Sequence, residues 1–387
     1  MNTRWQESST WFLLLMGAVA IRGRMLGFVS GDMQGDMVPW WECIDDNGCW
    51  LALGQDFSNY PPLYLYVLAI ATSLPLPRVF SVKLVYVAFD FLVAGFVGGV
   101  VQHGVGTERS WWWGALATAW LPTMAANASR WGQCDAMYVS GMVGCVYYLL
   151  KGRDVGAMVA LGVAFSFKPQ AVFLGPCTLV LVLQRRLSLA LLSIISAVYL
   201  VLATPAWLAG RPLQELVLLY AHQRILPFPA LTLGATNIYQ WVTASHFETL
   251  FPIALGVAVF GAVAFVWFVM RGHGEGRSDQ ELVRVALLSV VLMPYLLPAM
   301  HERYFFPADV LSVAYAFWAA RGWIVTVLIQ TASFFTYLPY LFNSEPFPRP
   351  VLAVVMGGAL VLLVRDTWKG QKSAGKTERE GMEAKRC

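Results

Sequence analysis

Five short segments of the 387-residue sequence carry residue types able to do chemistry. The first reads SGDMQGDMVPWWECIDDNGCW, followed by DFSNYPPLYLY. It holds Asp32, Asp36, Glu42, Asp45, Asp46 and Asp56, six carboxylates within 25 residues. Asp32 follows a long apolar stretch almost at once, so it is expected at or just below a membrane surface. A carboxylate that is partly desolvated there has its pKa raised toward the range useful for a general base. Asp45, Asp46 and Asp56 read as the solvated face of a loop.

The second segment, Arg130-Trp131-Gly132-Gln133-Cys134-Asp135, lies where one apolar segment ends and the next begins. Arg130 and Asp135 either pair across that turn or contact a substrate, and Asp135 also reads as a helix N-cap. The third, FSFKPQ, puts Lys168 and Gln170 inside an otherwise apolar run. A lysine costs about 2.5–3.5 kcal/mol at a membrane-helix centre, so Lys168 must snorkel, pair or bind an anion. The fourth is His301-Glu302-Arg303-Tyr304, which opens an apolar span after Pro298. Arginine presents a planar fork suited to phosphate oxygens, and a following helix N-terminus adds positive potential. The fifth, LTLGATNIYQW, carries Asn237, Tyr239 and Gln240, groups suited to stacking on a sugar or to anchoring a loop at an interface.

The elements that must position these residues are membrane helices. The chain is 58% apolar, 14% aromatic and 13% charged, against about 45–50% apolar and about 25% charged for soluble proteins. That composition excludes disordered, collagenous and disulfide-scaffold classes and points to a polytopic membrane protein. A scattered net charge of +4 gives no nucleic-acid footprint. The six cysteines show no metal-site spacing; Cys43 and Cys49 share one outer loop, which leaves a disulfide between them open, and nothing in the sequence requires it. Arg22 and Arg24 interrupt the far end of the first apolar stretch, and no cleavage site follows it. It reads as a retained first span, with both arginines snorkelling outward. Asp90 stands alone within a span, to be satisfied by a polar neighbour or by a proton.

Twelve spans are expected, at 10–29, 80–101, 111–127, 136–150, 155–168, 170–184, 187–206, 250–270, 283–299, 304–320, 322–341 and 350–366. Those flanking Lys168-Pro169 are short. The apolar run 61–76 is either a thirteenth span or a helix lying at the interface, and charge decides between them. With 61–76 interfacial and the N-terminus inside, 17 Lys and Arg face the cytoplasm and 8 face outward; Arg22 and Arg24 complete the 27. This places both termini inside and puts two large loops, 30–79 and 207–249, outside. Residues 1–366 form one membrane domain and 367–387 a disordered cytoplasmic tail. No internal repeat is visible.

In order, SGDMQGDMVPWW, FSNYPPLYLY, WGQCDAMY, FKPQ, ATNIYQW and HERYFFP resemble the GT-C superfamily of polyprenyl-phosphate-sugar-dependent glycosyltransferases. The likeness spans about residues 10–320. It looks nearest to bacterial proteins related to the second mannosyltransferase of GPI-anchor synthesis, with a more distant likeness to dolichyl-phosphate-glucose-dependent enzymes. The resemblance implies an all-α GT-C bundle with interfacial helices in the first outer loop. It implies Asp32 as the base, with Asp36 as a competing carboxylate. Lys168, Gln170, His301 and Arg303 match positions that approach the donor phosphate. Tyr60, Arg130, Trp131, Gln133, Asp135, Asn237, Tyr239, Gln240, Glu302 and Tyr304 are the expected substrate contacts.

The implied reaction moves a hexose, mannose or glucose, from a polyprenyl-phosphate donor to an unidentified hydroxyl acceptor, with inversion. Its transition state is oxocarbenium-like, and cations stabilise the leaving phosphate. No cofactor is expected; a divalent metal is possible without being required. The rival readings are a lipid-linked glycan flippase and a polysaccharide polymerase or ligase using a lipid-diphosphate donor. A flippase predicts polar residues through the membrane midplane, whereas these cluster at the outer edge.

Overall fold

A computed structural model describes residues 2–222, 229–242, 247–272 and 278–384. The chain is helical almost throughout. In order, the helices are α1 (Asn2–Met25), α2 (Val38–Asn47), α3 (Cys49–Leu53), α4 (Pro62–Thr72), α5 (Arg78–Val105) and α6 (Glu108–Ala119). Then come α7 (Pro122–Ala125), α8 (Asp135–Leu150), α9 (Asp154–Phe167), α10 (Gly175–Leu183), α11 (Ser193–Leu208) and α12 (Leu213–His222). The last are α13 (Phe247–Arg271), α14 (Asp279–Leu296), α15 (Phe306–Trp318), α16 (Gly322–Phe342) and α17 (Arg349–Ala384). Two two-residue strands, β1 (Thr232–Leu233) and β2 (Met300–His301), pair in parallel.

The expected spans fall largely on helix, although 111–127 is divided between α6 and α7 at Trp120–Leu121. Among the described residues five helices are long and apolar enough to cross a membrane by themselves: Arg78–Val105, Leu189–Leu208, Phe247–Arg271, Gly322–Phe342 and Arg349–Gln371. Shorter apolar helices cover 135–150, 154–167 and 169–183. The contested run 61–76 becomes α4, of 11 residues. At 1.5 Å per residue it reaches about 16 Å, half of a ~30 Å hydrocarbon core. Around it α2 and α3 turn the first loop, 30–79, into a set of short helices, as the resemblance implied.

Three expectations change. Where one domain was expected over 1–366, the chain forms two compact units, each assembled from separated stretches. The first comprises Met1–Gln102, Gly106–Val172 and Ala190–Phe228; the second comprises His103–Val105, Phe173–Leu189 and Pro229–Cys387. The chain leaves the first unit after Val172 and re-enters it at Ala190, so a contiguous reading of the sequence does not reveal the division. The tail expected to be disordered from 367 continues α17 to Ala384. Its Lys, Glu, Arg, Met and Ala residues propagate a helix already nucleated upstream. Residues 223–228 and 243–246 of the expected outer loop 207–249, and 385–387 of the tail, lie outside the described residues.

The third change concerns Arg22, which does not snorkel. Ala18, Ala94 and Ala119 pack together and bring α1, α5 and α6 close. Into that contact Arg22 projects its guanidinium, 2% exposed. Its Nε donates to Asp90 Oδ2 at 2.9 Å, and its Nη1 donates to the carbonyls of Ala119 (2.9 Å) and Ala18 (3.2 Å). Asp90 is therefore ion-paired through one carboxylate oxygen, Oδ2. Elsewhere in this unit α8 and α9 approach closely because Gly141 has no side chain. A Cβ there would lie 2.5 Å from the Ala160 carbonyl oxygen, the small-residue packing usual between membrane helices.

Removing one partner of a buried pair strands the other charge and costs about 3–5 kcal/mol, while apolar replacement of both is often neutral. Arg22→Ala and Asp90→Ala should each lower the melting temperature in detergent sharply. Arg22→Met with Asp90→Leu should recover most of the loss. Two additive single losses would show that the pair does not hold the three helices together.

Candidate active site

The first unit builds its polar centre where residues 28–37 meet 127–135. Lys83, on α5 and fully buried, directs its ammonium at three backbone carbonyls: Phe28 (2.5 Å), Ser129 (2.8 Å) and Arg130 (3.0 Å). An ammonium has three donors, and each of these contacts takes one. Ser30 adds a second tie, its hydroxyl donating to the Trp131 carbonyl at 2.5 Å while accepting from the Met33 amide. Both segments widen locally into π-helical turns, Met33–Met37 and Ala126–Trp131. Such turns are rare and concentrate at functional sites. The second turn ends at Gly132, with φ +74°, where a Cβ would stand 2.4 Å from Met33 Sδ.

These ties bring Asp32 to its partners. The Trp131 ring Nε1–H donates to Asp32 Oδ2 at 3.0 Å, and the Gln133 side-chain amide donates to the same oxygen. Asp36, four residues on, is exposed and lines a cavity of about 400 Å³. Its turn is held from below by Met37, whose sulfur accepts from the Tyr64 hydroxyl at 2.7 Å. Burial against Tyr86 and other groups pushes the Tyr64 phenol well above its ordinary range, so it stays a neutral donor.

Lys168 takes the pairing option. Its Nζ donates to Asp135 Oδ1 at 2.7 Å, and Asn127 Nδ2 donates to the other carboxylate oxygen at 2.8 Å. Asp135 is the first residue of α8, with Cys134 as the N-cap position. The rings of Tyr60 and Tyr138 lie 5.0 and 6.0 Å from the ammonium, near enough for cation–π attraction. Arg130 lays its guanidinium over the Phe28 ring at 4.1 Å. Gln170, on the 3₁₀ turn after Lys168, buries its Oε1 without a hydrogen-bond partner among the described residues.

The second unit holds the HERY segment. β2 pairs with β1 in the register Thr232↔Met300 and Leu233↔His301, and the Ala299 amide donates to the Leu231 carbonyl at 2.8 Å. Ala299 has φ +59°, a left-handed conformation costly for a residue other than Gly, Asn or Asp. ATNIYQW supports this bend. Asn237 caps its own turn by accepting from the Tyr239 amide at 3.1 Å, and the Tyr239 hydroxyl donates to the Leu296 carbonyl at 2.7 Å. Burial raises the Tyr239 phenol to about 12, so it too remains a donor. Gln240 donates to the Ala235 carbonyl at 2.5 Å. These three residues, expected as substrate contacts, thus make bonds that hold the backbone ahead of His301. His301 lies edge-on to Tyr304, ring centroids 5.3 Å apart, with its Nδ1 3.9 Å from Glu302 Oε2. Arg303 stands 5.8 Å from the Tyr304 ring, which also packs near Phe173.

Among the described residues no group of three or more His, Cys, Asp and Glu side chains is placed to hold a metal. Lys83 is what the sequence reading missed. It carries the same signal as Lys168, a lysine within an apolar run. Ser30 and Asn127 carried no signal.

Lys83→Met keeps length and apolarity but strands three carbonyls in a buried site. A hydrogen bond to a charged group contributes about 1.5–3 kcal/mol, so at least about 2 kcal/mol of stability should be lost. Loosening of the 28–33 and 129–133 segments should also shift Trp131 emission. Unchanged melting and emission would show that Lys83 does not join them.

The fold is similar to that of ArnT from Cupriavidus metallidurans in the apo state: TM-score 0.56 and 15% identity over 95% of this chain and 78% of that one. It is equally similar to ArnT from the same organism bound to undecaprenyl phosphate, with TM-score 0.55, 16% identity and the same coverage. At such identity the likeness is one of fold alone, an all-helical membrane fold. No curated protein matches the chain. The family model for glycosyltransferase family 87 matches residues 57–298. That is more than half of the sequence, and the chain belongs to glycosyltransferase family 87.

Proposed function

We propose that this membrane glycosyltransferase moves a hexose, mannose or glucose, from a polyprenyl-phosphate donor to an acceptor hydroxyl with inversion of configuration. The observation that carries the reading is the Asp32 carboxylate, held at one oxygen by Trp131 and Gln133. A base so oriented takes the proton of an acceptor hydroxyl, whose oxygen attacks the anomeric carbon from the face opposite the phosphate. The bond from that carbon to the phosphate oxygen breaks, and the lipid phosphate leaves with an added negative charge. Placed charges usually make the largest single contribution to such a step. On the family resemblance, Arg303, His301, Lys168 and Gln170 are each assigned to contact with that phosphate. The similar fold that binds undecaprenyl phosphate supports a lipid-phosphate donor. Family membership weighs against the flippase reading.

Trp131, Gln133, Asp135, Arg130, Tyr60, Glu302 and Tyr304 are assigned to substrate binding. Asn237, Tyr239 and Gln240 act through the backbone they hold. The chemistry is assigned to the outer face of the membrane, with both termini in the cytoplasm. Externally added thiol reagents should then label a cysteine placed at Asn47 and another at Ser73. A protected Ser73 site, with labelling inside 271–284, would reverse the arrangement.

A positioned general base contributes about 10²–10⁴-fold. Asp32→Asn should lose turnover by that factor while still binding polyprenyl phosphate. If Asp36→Asn is crippling and Asp32→Asn mild, the base is Asp36. Arg303→Lys keeps the charge but not the bidentate fork, so turnover should fall at least about ten-fold; Arg303→Ala should also weaken binding of polyprenyl phosphate. An Arg303→Ala protein that melts normally and binds the lipid phosphate undiminished would remove Arg303 from the donor site.

A further inference from the structure

Helix α11 carries a proline, Pro205, inside its last turns. Proline has no N–H to give the carbonyl of Val201, and its ring crowds that carbonyl, so one rung of the helix is missing there. Within a membrane, backbone groups disturbed in this way are met by side chains of neighbouring helices. Here the neighbour is α4, which belongs to the same unit. The Tyr66 hydroxyl donates to the Leu202 carbonyl at 2.8 Å and accepts from the Ala206 amide at 3.3 Å. Those two groups stand four residues apart on α11, so one phenol bridges the ends of what is ordinarily a helical hydrogen bond. Burial raises the Tyr66 phenol to about 12. The hydroxyl therefore keeps its proton and serves both contacts.

The other side of α4 reaches the site. Residues two apart on a helix are turned by about 200° around its axis, so Tyr64 and Tyr66 leave α4 on opposite faces. Tyr64 is buried; its hydroxyl donates to Met37 Sδ at 2.7 Å and lies 2.6 Å from that of Tyr86. Met37 closes the π-helical turn Met33–Met37, which has Asp32 at its N-cap position and Asp36 within it. A second contact joins the first loop to the end of α11. At Gly54 a Cβ would stand 2.3 Å from the Ala209 carbonyl oxygen, a close approach that only glycine permits. Helix α4 has 11 residues, too few to be stable by itself. Its place is set by what its two faces hold.

We propose that Tyr66 is a positioning residue for glycosyl transfer. By bridging Leu202 and Ala206 it fixes α4 against α11, and α4, through Tyr64 and Met37, sets where the turn carrying Asp32 and Asp36 stands. The role in catalysis rests on the proposed function; the link from α11 to the turn rests on the hydrogen bonds alone. A purely structural role is different: the hydroxyl then serves only to mend α11 at Pro205. The two roles part over whether repairing α11 by other means replaces Tyr66.

Tyr66→Phe removes the hydroxyl and keeps the ring. In the full-length protein in lipid nanodiscs, kcat for release of polyprenyl phosphate from polyprenyl-phosphate-mannose or -glucose should fall between about 10- and 10²-fold, the scale of loss from a misplacement of about 1 Å. Binding of polyprenyl phosphate itself should be unchanged. Amide hydrogen exchange across residues 33–37, read by mass spectrometry without any donor, should quicken in Tyr66→Phe and in Tyr64→Phe, and no further in the double variant. Adding Pro205→Ala to Tyr66→Phe returns an N–H to the Val201 carbonyl and lets α11 close its own bonds. Compared with Pro205→Ala alone, that pair should melt alike yet stay slow in turnover and fast in exchange, and it carries the test should Tyr66→Phe alone not fold. Turnover restored by Pro205→Ala, parental turnover in Tyr66→Phe, or unchanged exchange at 33–37 would overturn the proposal. The predicted exchange pattern, together with no release of polyprenyl phosphate by the parent from any donor, would leave the link standing and defeat the transferase reading. Release by the parent with exchange unaffected by Tyr66→Phe would do the reverse.

Discussion

The ammonium of Lys83 lies on three carbonyl oxygens, and the first unit's polar centre is arranged around it. Two of those carbonyls belong to the turn that ends in Trp131 and Gln133, and the third to the segment that ends in Asp32. A lysine buried in a membrane helix is expensive unless every donor is met. Here the backbone of two otherwise unrelated loops meets them. The consequence is geometric: with Phe28, Ser129 and Arg130 fixed on one ammonium, the indole and amide donors reach a single Asp32 oxygen. Both π-helical turns and the left-handed Gly132 sit within a few residues of this tie. The distortions of the backbone thus collect around the carboxylate that carries the proposed chemistry.

Charge burial elsewhere also rests on ion pairs. Arg22 reaches Asp90 between three helices brought close by alanines, and Lys168 reaches Asp135 with Asn127 behind it. In the second unit the side chains of Asn237, Tyr239 and Gln240 bond backbone groups, next to the bend at Ala299 that precedes His301. Arg211 is paired in the same incomplete way, donating to Asp56 while its Nε and Nη1 find no acceptor among the described residues.

Hydropathy was enough to read the helices, because an apolar run long enough for a membrane has few alternatives. Lys and Arg counts separated α4 from the spans before its length of 11 residues did. The identity of the site segments was legible too, since Asp32, Lys168 and HERY are polar groups where an apolar sequence has no structural need of them. Their partners were not. Whether Arg22 snorkels or pairs depends on Asp90, 68 residues away, and on three alanines that carry no chemical signal. The same holds for Lys83, whose partners are backbone carbonyls and hence invisible in side-chain identity. Asn237 and Tyr239 have the composition of sugar-binding groups, and only the geometry reveals that their hydrogen bonds close on the chain. The division into two units was hidden because the chain passes between them more than once.

The chemistry is tested most directly by incubating the purified protein with polyprenyl-phosphate-mannose or -glucose and a neutral hexoside acceptor. Released polyprenyl phosphate is then quantified, and the anomeric configuration of the product is read by NMR. Acceptor-dependent release with the configuration opposite to that of the donor is the predicted result. Release with retained configuration would contradict a single displacement assisted by Asp32, and absence of release from both donors would contradict the lipid-phosphate-sugar assignment.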